Sequence, residues 1–208
     1  MIFIESVKKS KNRLNKKYPN SKFIDITSKA VDIFVKFSPF FPHHDIPIPN
    51  SPNIYSETVE GVWQGLKVFR HNDIDISKFY ITNMKGIKRL TKYFGQPIGH
   101  RNGINGEVID YISARKLIYI PTYKWVLDNK LIDEISILLN LAINYDIVLL
   151  DFETNCDIEN ISKPLSHAFI VKQYLEELNP EIFNSNISFN LDQTEKEQLK
   201  FNQLRLDL

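Results

Sequence analysis

The 208-residue sequence holds one cysteine, Cys156, and seven glycines, all of them between Gly61 and Gly106. A single cysteine excludes a disulfide within the chain and a zinc site built from several thiolates. No G-x-G-x-x-G follows a strand and no G-K-[ST] occurs, so the dinucleotide and P-loop fingerprints are both missing. Nor is there a G-x-S-x-G elbow to seat a serine nucleophile. No apolar run approaches the roughly 20 residues that span a bilayer. The opening MIFIESVKKSKNRLNKK has an apolar stretch too short for a secretory signal. A net charge of +1 supplies no general attraction for nucleic acid. These absences lead us to expect a reducing, cytoplasmic chain with no membrane partner.

What is present suits a folded domain. Hydrophobic residues make up 43% of the chain, enough material for a core, so wholesale disorder is not expected. The length suits one domain, 1–208. Isoleucine, asparagine and lysine are abundant, a bias that fits an AT-rich genome, bacterial or phage.

Met1–Glu5 reads as a strand, and Lys8–Lys17 as a basic helix or loop whose plain reading is a solvated face. Nucleic-acid phosphate is the partner such a run would otherwise suit. Phe23–Thr27 alternates like a strand, and Asp32–Phe37, DIFVKF, is a second strand candidate. Then comes SPFFPHHDIPIPNSPN, which carries five of the ten prolines. Proline fixes φ and removes donors, so this is a rigid extended loop that either wraps the core or walls a pocket. His43 and His44 are neighbours, which point apart in an extended chain and chelate poorly. No metal and no cofactor is expected.

Gly95–Gly106, GQPIGHRNGING, reads as a flexible loop with His100 and Arg101. Glycine-rich backbone beside an arginine suits a phosphate, which makes Arg101 a ligand-binding candidate. From Glu107 the chain turns helical, with one helix stopped at Pro121 and another from Lys124 to Asn144. Asp146–Glu153, DIVLLDFE, reads as a buried strand, and Pro164 as the first residue of a helix reaching Leu178. A charged helical tail follows from Asp192. His167, near that helix start, is expected as a neutral core histidine. The fold class is α+β, mainly helical with a small sheet.

The stretch ETVEGVWQGLKVF, Glu57–Phe69, has the most pattern. As a helix it puts Val59, Val62, Leu66 and Phe69 on one apolar stripe. Glu60, Gln64 and Lys67 gather within roughly 60° on the opposite side, with Trp63 at their edge. Gly61 and Gly65 form a third strip, each costing about 0.8–1.0 kcal/mol relative to alanine. Two glycines one turn apart imply that another backbone or a ligand passes close. The bland alternative is an amphipathic surface helix with Glu60 and Lys67 in solvent.

Thr58, Val59, Glu60, Trp63, Gln64 and Lys67 resemble the Thr-Val-Glu-His, aromatic, Gln and Lys motif of the NADAR (NAD- and ADP-ribose-associated) family. Ser38-Pro-Phe-Phe-Pro42 is similar to its Ser-Asn-Phe-Tyr-Pro segment. Lys88-Arg-Leu90 is similar to its Ala-Lys-Arg-Leu-Gly, and Ala114-Arg-Lys116 to its later Arg-Ala-Lys helix. The resemblance spans about 32–178, leaving 1–31 as an N-terminal elaboration and 179–208 as a tail. Gly61 stands where the family has histidine, and the late Trp-Gly-x-Gly and Gly-x-Asn-x-Leu-Gly signature is missing. LLDFETNCDIENISKPLSHAF occupies that region.

The resemblance implies cleavage of an N-glycosidic bond on an ADP-ribosylated or otherwise ribosylated base or nucleotide. Such chemistry uses a carboxylate beside the ribose C1, and an acid or a lysine able to capture an opened ribose. Glu60 and Lys67 have those types, with Trp63 and Gln64 shaping the pocket. Asp151 is the second acid, on a strand end with Glu153 facing the same way, and Asn155 follows in the same loop. The alternative function is a non-catalytic nucleotide-binding or interaction protein, of phage origin in one version, that retains the fold.

Overall fold

Three parallel strands and one short, wholly buried helix organise residues 1–183, the part that the structure, a computed structural model, describes. In chain order the first half comprises β1 (Ile2–Ser6), α1 (Lys11–Lys17), β2 (Ser21–Asp25), β3 (Ile46–Pro47), β4 (Tyr55–Ser56), α2 (Val59–Gly65) and β5 (Lys67–Phe69). Then follow α3 (Thr91–Phe94), β6 (Pro97–Arg101), β7 (Val108–Ile109), α4 (Tyr111–Ala114), α5 (Ile120–Lys130) and α6 (Ile132–Asn144). The last elements are β8 (Asp146–Asp151), α7 (His167–Leu178) and α8 (Pro180–Phe183). The fold class is α+β, as expected. The helical tail expected from Asp192 lies outside the described residues.

β8 lies between β1 and β2 and runs parallel to both. Its apolar run is what a central strand covered on both faces requires, and Ile147, Val148 and Leu149 have no exposed surface. The N-terminal 1–31 therefore supplies two of the three strands of this sheet. All three carboxyl ends fall on one side, because Ser6 pairs with Asp151 and Asp25 with Leu150. Among the described residues, no helix is long and apolar enough to cross a membrane.

Several local expectations are corrected. Asp32–Phe37 is not a strand but a 3-10 helix over Ile33–Phe37, capped by the Asp32 carboxylate, which accepts from Phe34 N. Spacing of three puts Phe34 and Phe37 on one side of such a helix, and both are buried. Gly95–Gly106 is not all loop, since Pro97–Arg101 forms β6, the middle strand between β5 and β7. The helix expected from Pro164 begins at His167 instead. Leu165 is held extended by a bridge to Asn155, and Ser166 N donates to Asn155 O at 2.9 Å.

Pro121 does not stop a helix either: α4 continues through a π-helical turn, Arg115–Tyr119, directly into α5. Proline has no N–H for the carbonyl four residues back, and its ring crowds that carbonyl. Widening the preceding turn, so that Ile120 N reaches Arg115 O five residues back, relieves the conflict without breaking the helix.

The helix expected over Glu57–Phe69 is shorter, α2 covering only Val59–Gly65. Thr58 caps it, its hydroxyl accepting from Gly61 N at 2.7 Å. Beyond Leu66 the chain turns extended, and Lys67 and Val68 pair with His100 and Gly99. Every residue of α2 is buried, so the amphipathic surface reading is overturned. The glycine strip is explained by protein rather than ligand. A Cβ on Gly61 would lie 2.6 Å from Ser56 Oγ and 2.8 Å from the backbone oxygen of Lys78. On Gly65 it would lie 2.1 Å from Phe79 Cε1. Helix propensity alone would make Gly65→Ala stabilising. Steric overlap with the fully buried Phe79 reverses the sign, so we expect a loss of about 1–3 kcal/mol in urea denaturation.

Candidate functional site

A cavity of about 410 Å³ separates α2 from the carboxyl end of the parallel sheet. Ligands of open α/β sheets bind outside strand carboxyl ends, where neighbouring strands send the chain different ways. Here Thr27 and Ser28 follow β2, while Asp151, Phe152 and Glu153 end and follow β8. The opposite wall is Glu60, Trp63 and Gln64 of α2 with Lys67 of β5. Ser38, Pro39 and Phe40 close one side, so the proline-dense segment does wall a pocket. It is tied to α2 by Glu60 N, which donates to Pro39 O at 2.8 Å.

Glu60, Gln64 and Lys67 form a connected row. Gln64 Nε2 donates to Glu60 Oε1 at 2.9 Å, and Lys67 Nζ donates to Gln64 Oε1 at 3.1 Å. Arg89 N donates to the same Gln64 oxygen at 3.0 Å. Burial pushes the Glu60 carboxyl above its usual range, although Gln64, Lys67 and Lys88 pull the other way. Burial likewise pushes Lys67 down to about 8; Glu60 opposes this, while Arg89 and Lys88 add to it. The acid and the amine are thus drawn toward each other in proton affinity.

Arg89 holds the back of this row. Its guanidinium lies 4.7 Å from the Phe69 ring centre and 5.0 Å from that of Phe94. It donates to the carbonyls of Lys67 and Asp73. Trp63 stacks on His100 with centroids 3.8 Å apart and meets Tyr111 and Tyr119 edge-on. His100 is fully buried and held neutral, chiefly by that burial.

Asp151 behaves differently from Glu60. Its Oδ2 accepts from Ser166 Oγ at 2.7 Å and lies 3.0 Å from His167 Nδ1, while Oδ1 accepts from Phe152 N at 2.6 Å. His167 Nε2 is 2.8 Å from the Ile26 carbonyl. With an acceptor facing each ring nitrogen, both must donate, so the ring is an imidazolium. Burial alone would lower its pKa, but the adjacent Asp151 charge and these hydrogen bonds raise it. Burial opposes ionisation of Asp151 as well, and His167 reverses that to hold its carboxyl below the usual range. The expected neutral histidine is therefore corrected to one half of a buried ion pair.

Among the expected site residues, Glu60, Trp63, Gln64, Lys67, Asp151 and Glu153 all line this cavity. Arg101 does not. Its fork is engaged by Asp73, with Nε and Nη2 at 2.7 and 2.6 Å from the two carboxylate oxygens, and Nη1 reaches Gly106 O. Asn155 is not at the cavity either, because its amide donates to the carbonyls of Asn160 and Lys163 to clamp the loop. Residues missed as candidates include Arg89, Tyr111, Arg115, Tyr119 and His167, which also line it. Arg89 and Arg115 stood inside the quoted Lys88-Arg-Leu90 and Ala114-Arg-Lys116 segments. Nothing in the spacing of the two tyrosines marked them.

The chain belongs to a family of unknown function (DUF6939), whose model matches residues 6–171. The match begins at Ser6, the last residue of β1, takes in every cavity-lining residue named above and ends at Val171, within α7. No curated protein and no solved structure is detectably similar.

Two measurements check the electrostatics. NMR titration of reductively ¹³C-methylated protein should place Lys67 at about 8 rather than 10.5, with Lys67→Arg identifying its signal. Glu60→Gln removes the charge that raises it and should move the midpoint lower still. A midpoint at the ordinary lysine value would mean the amine is not desolvated. Separately, Asp151→Asn strands a buried imidazolium and should cost about 3–5 kcal/mol in urea denaturation.

Proposed function

We propose that the cavity binds a ribosylated nucleotide or base and that Glu60 and Lys67 act on its N-glycosidic bond, as the NADAR resemblance implies. The observation that carries this reading is the Glu60–Gln64–Lys67 row in the cavity wall, a buried carboxyl of raised pKa joined through one amide to an amine of pKa about 8. A general acid works best with a pKa near the operating pH, and a lysine nucleophile needs its neutral form. Burial moves both groups in that direction. Trp63 and Tyr111 offer aromatic surface, and Glu153 with Thr27 and Ser28 offers polar contacts at the sheet end.

In this reading, Glu60 lends its proton to the departing base or, ionised, faces the positive charge that develops at the ribose C1. The neutral Lys67 amine attacks that carbon as the bond to the base breaks, and loses a proton; the ring C1–O bond of the ribose then opens to leave an imine. Water then hydrolyses the imine and returns the free amine.

The test is a thermal-shift screen against NAD, ADP-ribose, GMP derivatives and ADP-ribosylated guanosine. A ligand at 100 times its Kd should stabilise the fold by about 2.7 kcal/mol. On any ligand turned over, Glu60→Gln and Lys67→Met should each lower the rate by about 100-fold or more. Borohydride added during turnover should attach the sugar to Lys67, read by peptide mass. Binding without turnover would instead establish the non-catalytic nucleotide-binding reading. No response to any of these compounds would overturn both.

A further inference from the structure

Tyr119 is buried, 9% exposed, and lines the cavity. Its ring is fixed edge-on to Trp63 at 5.4 Å and stacked on Tyr123 at 6.3 Å. The neighbouring Tyr123 uses its hydroxyl structurally, donating to Phe37 O. The Tyr119 hydroxyl, by contrast, has no hydrogen-bond partner among the described residues. Nor is it among the sealed, unpartnered polar atoms of the described residues, which are Arg89 Nε, both ring nitrogens of His100 and Thr122 Oγ1. A buried tyrosine hydroxyl normally finds a partner. Unpartnered yet unsealed, this one opens onto the cavity.

The groups around it narrow what it can bind. Glu60 and Asp151 both act on the phenol, their charges adding to burial to hold it well above its ordinary pKa. It is therefore a neutral O–H donor, in a cavity wall that also holds Glu60 and Asp151. A ligand hydroxyl both accepts from a phenol and donates to a carboxyl oxygen, so it satisfies both kinds of wall group at once. The π-helical turn before Pro121 carries both Tyr119 and Arg115 into the cavity wall, and such turns concentrate at functional sites.

We propose that Tyr119 is a substrate-contacting residue whose hydroxyl engages a sugar hydroxyl of the ligand between Glu60 and Asp151. This rests on the ribosyl reading above and adds to it the position of the sugar, at the α2 side of the sheet end. A site built to hydrogen-bond a ligand hydroxyl discriminates against ligands without it, because its own polar groups are left unpaired.

The experiment compares wild type, Tyr119→Phe and Tyr123→Phe. Melting temperature is read first. Tyr119→Phe should melt with wild type, while Tyr123→Phe, which loses a buried hydrogen bond, should melt lower. Binding of ADP-ribose and of ADP, which lacks the second ribose, is then measured by calorimetry. Wild type should prefer ADP-ribose, and Tyr119→Phe should lose roughly 3- to 10-fold of that preference with ADP affinity unchanged. A Tyr119→Phe melting loss as large as that of Tyr123→Phe would make the hydroxyl structural and overturn the proposal, whatever binds. Equal ADP-ribose affinity in wild type and Tyr119→Phe would overturn it while leaving the ribosyl reading intact. Wild type that binds neither compound would overturn this proposal, and the ribosyl reading falls with it only if the whole thermal-shift screen is silent as well.

Discussion

The side-chain amide of Gln64 has an acceptor end and a donor end, and on a helix buried all round each end meets only one kind of neighbour. Oε1 receives the Lys67 amine and the Arg89 backbone amide. Turning the amide over would set an NH₂ against two donors and leave Glu60 facing a bare oxygen, a costly arrangement where water is excluded. The orientation of one amide thus fixes Glu60 as acceptor and Lys67 as donor. It also spaces the acid from the amine with no direct bond between them. Arg89, gripping the Lys67 carbonyl from behind, holds the row against β5.

The cavity contains two acid–base pairs that burial treats in different ways. Asp151 and His167 touch directly, so each stabilises the charge of the other, and further hydrogen bonds complete the shell. Their shifts run apart, the acid down and the histidine up, which is the mark of a stable ion pair. Glu60 and Lys67 are separated by Gln64, and desolvation outweighs their attraction. Their shifts converge, which narrows the gap in proton affinity between them. The direct Asp151–His167 pair ties α7 to the end of β8. Asp151, expected as a second catalytic acid, lines the cavity with its carboxyl held below the usual range by His167.

Legibility in the sequence followed how local the cause was. The β8 strand was readable because a continuous apolar run between acids has one common meaning, and Met1–Glu5 and Phe23–Thr27 fell close to β1 and β2 for similar reasons. The cluster of Glu60, Trp63, Gln64 and Lys67 was readable because most of it sits on one helix. Arg101 looked like an anion binder only while Asp73, 28 residues away, was not known to be beside it. Asn155 looked free because its acceptors are backbone carbonyls, which carry no sequence mark. His167 was misjudged because a helix N-terminus lowers an imidazole pKa, and the opposing carboxylate arrives from another element.

Pro121 shows how a failed local rule can be informative. Proline inside a helical pattern ordinarily ends the helix, and here the chain instead absorbs it in a π-helical turn. A regular α-helix through Arg115–Tyr119 would rotate the later residues relative to the earlier ones, and Arg115 and Tyr119 would not share the cavity wall in the same way. Arg115 uses its position to bind the carbonyls of Ile158, Asn160 and Lys163, fixing the loop that returns from β8 to α7. The same irregular turn therefore braces one wall of the cavity and supplies an unpartnered hydroxyl to another. Departures from local preference persist where the surrounding structure depends on them. The dependence here is on the geometry around Glu60, Tyr119 and Asp151.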